Sequence, residues 1–198
     1  MTVGFAECCI LPLIPSFTAQ YPEIKLSLEM TGRVVDLVEE NIDIAIRTGR
    51  LRDSNLIALK LVDNDFLLCA SPQYLADNGE PASPFELKNF DCIRYEYSGW
   101  RNWFLMHEKP TKLAIKSNLT IRSINGHKQL LLSHAGFALM PKWAVKDELE
   151  NGSLVQILKQ HVFSPYESLS STYAIYSKRE LVSPKIRVFL DFIKGHID

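Results

Sequence analysis

The stretch "ENIDIAIRTG", residues 40–49, decides how this sequence is read. Ile42, Ile44 and Ile46 recur at every second position, with the small Ala45 between them, which is the pattern of a buried strand. Asp43 stands near its start, and Arg47, Thr48 and Gly49 close it. In open parallel sheets, ligands bind outside the carboxyl ends of the strands. Arg47 therefore stands where a polar crevice is expected, and Gly49 permits a tight turn out of it. A second reading pairs Arg47 with a nearby carboxylate that only fixes the structure around it.

Outward from this strand, the coarse pattern alternates strand and helix. "FAECCILPLIPSFTAQYP" carries apolar residues at helical spacing and stops at Pro22. "IKLSLEMT" alternates and reads as a strand, and "RVVDLVEEN" reads as a short helix with Val34, Leu37 and Val38 on one face. "LIALKLV" and "FLLCAS" are further strands, and "SPQYLADNG" is a helix from a Ser-Pro start to an Asn-Gly stop. Such alternation predicts a parallel α/β sheet. Beyond residue 80 the texture changes: "WRNWFLM" and "KLAIKS" read as a β-pair, and "INGHKQLLLSHAG" and "PKWAVKDELENG" as helices around the strand "FALMP". "LVQIL" is another strand. "TYAIYSK" is the last, followed by a helix with Ser183 as N-cap and Pro184 in the first helical position. No internal repeat and no low-complexity segment interrupts this, and the change of texture predicts two α/β lobes.

Composition narrows the function classes. The 198 residues are 46% hydrophobic and 23% charged, as in an ordinary globular protein. With 22 basic and 23 acidic residues the formal net charge is -1, without the basic excess of a chain that grips phosphate backbones. The start, "MTVGFAECCILPLI", lacks the basic region and small-residue cleavage site of a signal peptide. No apolar run reads as long enough to span a bilayer. Cys8, Cys9, Cys69 and Cys92 lack the paired spacing of a zinc site, and a reduced, cytoplasmic chain is expected.

Catalytic signatures are missing: there is no nucleophile elbow, no H-E-x-x-H, no dinucleotide fingerprint and no P-loop. No enzyme activity, metal or cofactor is expected. His127 and His134 lie seven apart and are read as surface or packing residues. Asp36, Glu39 and Glu40 read as a solvated face. Trp100, Trp103 and Phe104 fit core and rim, or else a stacking platform. Cys8 and Cys9 fit small buried hydrophobes, or else low-pKa thiols at a helix start.

Five stretches together carry a resemblance: "VDLVEENIDIAIRTG", "LLCASPQYL", "FDCIRY", "AGFALMPKWAV" and "TYAIYSKRELVSPKIRVFLDFI". In this order and at these distances, over nearly the whole chain, they resemble the effector-binding domain of LysR-type transcriptional regulators. The resemblance implies an α/β fold of two Rossmann-like lobes joined by two crossover strands, like type 2 periplasmic binding proteins. Residues 1–66 and 170–198 would form one lobe and residues 67–169 the other. It implies a small-molecule effector and a homodimer, or a tetramer when full length. DNA would be bound through an N-terminal winged helix-turn-helix that this sequence does not contain. The family's first strand, "G-x-L-R-I", is not found here either. An extracytoplasmic solute-binding protein of the same bilobed plan is the alternative.

Effector residues carry over where positions match. The loop from Thr2 to Phe5 usually offers a hydroxyl, and here Thr2 is present while Gly4 stands near the usual serine. Thr31 matches the hydroxyl at the end of the second strand. The helix opened by Ser123 is expected to point its N-terminus at the ligand, which favours a small organic anion. Arg47 joins this set from its strand end, and Trp100 and Phe163 are expected to supply apolar walls. The first helix, with Phe5, Cys8, Ile10, Leu11, Leu13, Ile14 and Phe17, is more apolar than one buried stripe requires. A dimer surface is expected there.

Overall fold

A computed structural model of the chain describes residues 1–49, 56–96, 100, 102–177 and 183–197. Two compact units divide it: Met1–Asn64 with Ser170–Asp198, and Asp65–Leu169. In chain order the strands are β1 Ala45–Gly49, β2 Ile57–Asp63, β3 Phe66–Ala70, β4 Asp91–Tyr95, β5 Phe104–Leu105 and β6 Thr111–Lys112. They continue with β7 Lys116–Ile121, β8 Ala138–Pro141, β9 Val155–Gln156, β10 Phe163–Ser164 and β11 Ser171–Tyr176. Arg101 and Lys178, at the edges of two expected strands, lie outside the described residues.

The first unit begins with a helical segment, Val3–Gln20. It widens to a π-turn over Ala6–Ile10 and tightens to a 3-10 turn over Leu11–Leu13. Pro12 and Pro15 each lack the N–H that a regular ladder needs there. Phe5, Ile10 and Phe17 are buried. Phe17 meets Phe189 and Phe192 of the helix Pro184–Lys194 edge-on, with centroids 5.2 Å apart. At 18 residues this segment is long and apolar enough by composition to cross a bilayer. That corrects the expectation that no run is, although its largest rings serve the core of the unit.

The sheet of this unit departs from the parallel order expected. Strand β11 lies between β1 and β2 and is antiparallel to both, with Ala45 opposite Ile175 and Val62 opposite Thr172. The alternation of local elements misleads because the central strand arrives from the far end of the chain. Two other expectations fail. Residues 24–31 form no strand, although their alternation survives in burial: Ile24, Leu26 and Leu28 are half-buried while Lys25, Ser27 and Glu29 are exposed. Residues 33–41 form turns rather than a helix. There the Asp36 carboxylate accepts from the N–H groups of Val38 and Glu39, offering the backbone an alternative to helical bonds. Leu37 packs inward against Ala45 and Ile175, with Val35 partly buried beside it, while Val34 and Val38 stay exposed.

The second unit holds a sheet in the order β6-β5-β10-β3-β8, with β9 also on β3. Parallel pairing occurs between β4 and β7, and a parallel bridge joins Cys92 to Phe137 just before β8. The expected pair "WRNWFLM"/"KLAIKS" is realised only as Phe104 and Leu105 opposite Lys112 and Thr111, since β7 turns to β4. Helix Pro72–Asn78 starts and stops as its ends predict: the Ser71 hydroxyl accepts from Tyr74 N–H, and Gly79 takes φ +82°. "PKWAVKDELENG" breaks into a 3-10 turn, Lys142–Ala144, and a short helix, Lys146–Glu150. In the first unit, Ser183 precedes the last helix but makes no side-chain cap.

Candidate functional site

In the first unit the expected residues gather around the chain start. The Met1 amine donates to Glu29 O at 2.7 Å and Thr31 N–H donates to Met1 O at 2.8 Å, so Thr31 is held beside the turn into the first helix. The Thr31 hydroxyl accepts from Arg33 N–H at 3.3 Å. Thr2 is the N-cap residue of the helix without making a side-chain cap, and Gly4 lies inside the first turn. Arg47 donates from Nη2 to Val35 O at 2.6 Å, so its observed partner is a carbonyl rather than a carboxylate. Burial, aided by the charge of Arg47, holds the Met1 amine below the usual range against the pull of Glu29. A groove of about 340 Å³ in this unit is lined by Met1, residues 24–29, Thr31 and residues 42–46.

In the second unit, aromatic rings connect the other three expected residues. Trp100 is buried, edge-on to Phe66 at 4.8 Å and tilted against Tyr95 at 4.9 Å. Its indole N–H donates to the Tyr166 hydroxyl. Phe163, also buried, pairs across strands with Phe66 and Leu105. Tyr95 stacks on His127 at 5.7 Å. His127 lies in the first turns of the helix Ile124–Leu132 that Ser123 opens. The Ser123 hydroxyl oxygen accepts from Gly126 N–H at 3.1 Å, which leaves its proton to donate to an anion at the positive end of the helix dipole.

Tyr95, Tyr166 and His127 were not singled out for this cluster by the sequence. The signal for His127 was there, because Ile124, His127 and Leu131 share one stripe of the helix and all three are buried. Its Nε2 donates to Ile93 O at 2.9 Å, Nδ1 is buried without a partner, and burial pulls its pKa down to about 4. The ring is thus neutral and serves packing. His134 is exposed, its Nδ1 2.8 Å from the Ser71 hydroxyl. Trp103 and Phe104 are core rather than a stacking platform. Burial and the neighbouring Cys8 push the Cys9 thiol up to about 12, opposite to an activated thiolate. Burial pushes Cys69 and Cys92 up to about 12 as well. Among the described residues, no three His, Cys, Asp or Glu side chains are placed to hold a metal ion.

The first unit thus brings the Thr31 hydroxyl and the Arg47 guanidinium near the chain start, and the second, taken by itself, packs the buried rings of Trp100 and Phe163 in the same unit as the Ser123 helix end. The framework is α/β, of the type 2 periplasmic-binding-like class that its solved neighbours share. The chain belongs to the LysR substrate binding domain family, whose sequence profile matches residues 1–198.

Individual relatives agree. The transcriptional regulator CrgA of Neisseria meningitidis serogroup C is 32% identical over 185 residues, 93% of this chain and 61% of the relative. DmlR of Escherichia coli, also named an HTH-type transcriptional regulator, is 30% identical over 98% of this chain and 62% of its own length. The chain thus spans about three-fifths of the curated relatives it matches. The solved CrgA regulatory domain superposes with a TM-score of 0.86 at 30% identity, covering 100% of this chain and 96% of that one. The full-length Vibrio cholerae virulence activator AphB gives 0.83 at 26% identity, covering 99% of this chain and 66% of its own.

Proposed function

We propose that this chain is the effector-sensing part of a LysR-type transcriptional regulator and responds to a small organic anion. The observation that carries this reading is the match of the LysR substrate binding domain profile over residues 1–198, joined to a fold likeness that extends over the whole chain. Thr31 and Arg47 in the first unit, and Ser123, Trp100 and Phe163 in the second, are the residues we assign to recognition. Within the first unit the hydroxyl and guanidinium donors suit a carboxylate, and within the second the Ser123 helix end does so too, braced by the buried rings of that unit. Thr2 and Gly4 contribute backbone rather than a hydroxyl ladder, given the helix that begins at Val3.

The relatives named as transcriptional regulators support a regulatory role over catalysis and over solute capture outside the cell. DNA contact belongs, on this reading, to the helix-turn-helix region by which those relatives are named. Pairing of two copies along the apolar first helix completes the proposal, with Leu11, Leu13 and Ile14 only half-buried there. A cytoplasmic location follows from acting on DNA.

Thermal-shift screening of a carboxylate panel tests the reading. Binders should raise the melting temperature of the wild-type chain and lose most of that effect in Thr31→Val and in Ser123→Ala. Undiminished shifts in both variants would place recognition elsewhere.

A further inference from the structure

Two histidines of the second unit stand opposite each other across a strand pair. Strands β5 and β10 run antiparallel with Leu105 opposite Phe163, and the bond from Met106 N–H to Val162 O at 2.8 Å carries the ladder one residue further. The same register sets His107 opposite His161, on the face that Leu105 and Phe163 share. Leu105 and Phe163 are buried, His161 is half-buried and His107 is exposed, so the pair sits where this face leaves the core. The two imidazole centroids are 6.4 Å apart with their planes at 89°. His161 N–H donates to Leu158 O at 2.9 Å, and its ring meets Phe163 at 6.3 Å, so both its backbone and its side chain are braced.

The other three histidines are committed elsewhere. His127 is buried, and His134 and His196 each have Nδ1 engaged, with the Ser71 hydroxyl and with Phe192 O. Among the described residues, neither ring of the opposed pair has a hydrogen-bond partner. Imidazole is the common nitrogen ligand of zinc, nickel and copper, and two imidazoles held by one ladder form a chelate. An ion about 2.1 Å from one nitrogen of each ring, at a tetrahedral angle, holds the centroids roughly 5 Å apart. Turning the exposed His107 side chain closes that difference without moving the strands. No third His, Cys, Asp or Glu side chain is in place among the described residues, so water completes the coordination and the ion stays exchangeable.

We propose that His107 and His161 form a two-ligand site for a divalent ion of the zinc, nickel and copper group, which clamps the ends of β5 and β10 together. The site is independent of the effector reading and meets the residues assigned there only through the ring of Phe163.

The test uses the 198-residue chain without an affinity tag. Calorimetric titration with zinc chloride should give a single site per chain. His107→Gln and His161→Gln should each weaken it at least about tenfold, because the second ring binds as an intramolecular ligand. Substoichiometric copper(II), whose unpaired electron broadens nearby amide signals, should erase those of Met106, His107, His161 and Val162 first in the wild-type chain. Absence of zinc binding overturns the proposal, as does zinc affinity unchanged in either variant. Broadening that begins elsewhere, at His134, His196 or the Met1 amine, overturns it too, and this readout needs no variant to fold. Failure of the carboxylate screen would leave all three results unaffected.

Discussion

Two residues show how much structure rests on single positions. Gly136 takes φ +145°, and a Cβ there would stand 2.3 Å from Asp91 O. That carbonyl also accepts from Phe137 N–H, so it cannot retreat without breaking the bridge beside β8. Gly136→Ala is expected to cost about 3 kcal/mol or more, combining strained backbone with a steric clash, as measured by denaturant unfolding. His127 makes the second case. Its folded pKa of about 4 lies below the ordinary value of 6.5. The unfolded chain therefore binds a proton at higher pH than the folded chain does. The contribution to stability is complete above pH 6.5 and is lost as pH falls towards 4. The loss should reach about 3 kcal/mol, and His127→Gln should flatten that part of the stability–pH curve. The sequence left His127 as either a surface or a packing residue, and burial decides for packing. It held no sign of Gly136, whose constraint comes from a carbonyl 45 positions earlier.

Elements were readable where their own ends specify them. Ser71-Pro72 and Gly79 bound one helix because a cap and a left-handed stop act over neighbouring residues. The stretches 24–31 and 33–41 misread because a strand needs a partner and a short helix needs to outcompete the Asp36 side chain. Strand β11 makes the opposite point, since its place between β1 and β2 rests on distant contacts. Thr172, fully buried on β11, donates to Asn64 Oδ1 at 3.0 Å and lies 3.0 Å from the Thr48 hydroxyl. Thr172→Val keeps the shape and removes the buried Thr172 hydroxyl bonds to Asn64 Oδ1 and Thr48, so a loss of about 2 kcal/mol is expected in equilibrium unfolding. A change within about 0.3 kcal/mol would show that the hydroxyl network is incidental to this sheet.

For the whole molecule, composition excluded more than it identified. A formal net charge of -1 argues that this chain alone does not hold DNA specifically. Gel-shift assays should show no sequence-specific complex with it, and a specific shift would contradict this. Light scattering at micromolar concentration should give at least a dimer mass, with the half-buried Leu11, Leu13 and Ile14 as the surface that pairs. The family itself became legible only through five stretches in order. The chemistry at Thr31, Arg47 and Ser123 then had to be read from their partners, because a hydroxyl or a guanidinium names no ligand by itself. The central claim is that these residues recognise a small organic anion. Its most direct test is a two-dimensional amide NMR titration of the chain with a carboxylate that stabilises it. The account predicts saturable shifts at Thr31, Arg47 and the first turn after Ser123. Saturable shifts confined to other residues, or binding that leaves those three positions unmoved, would contradict it.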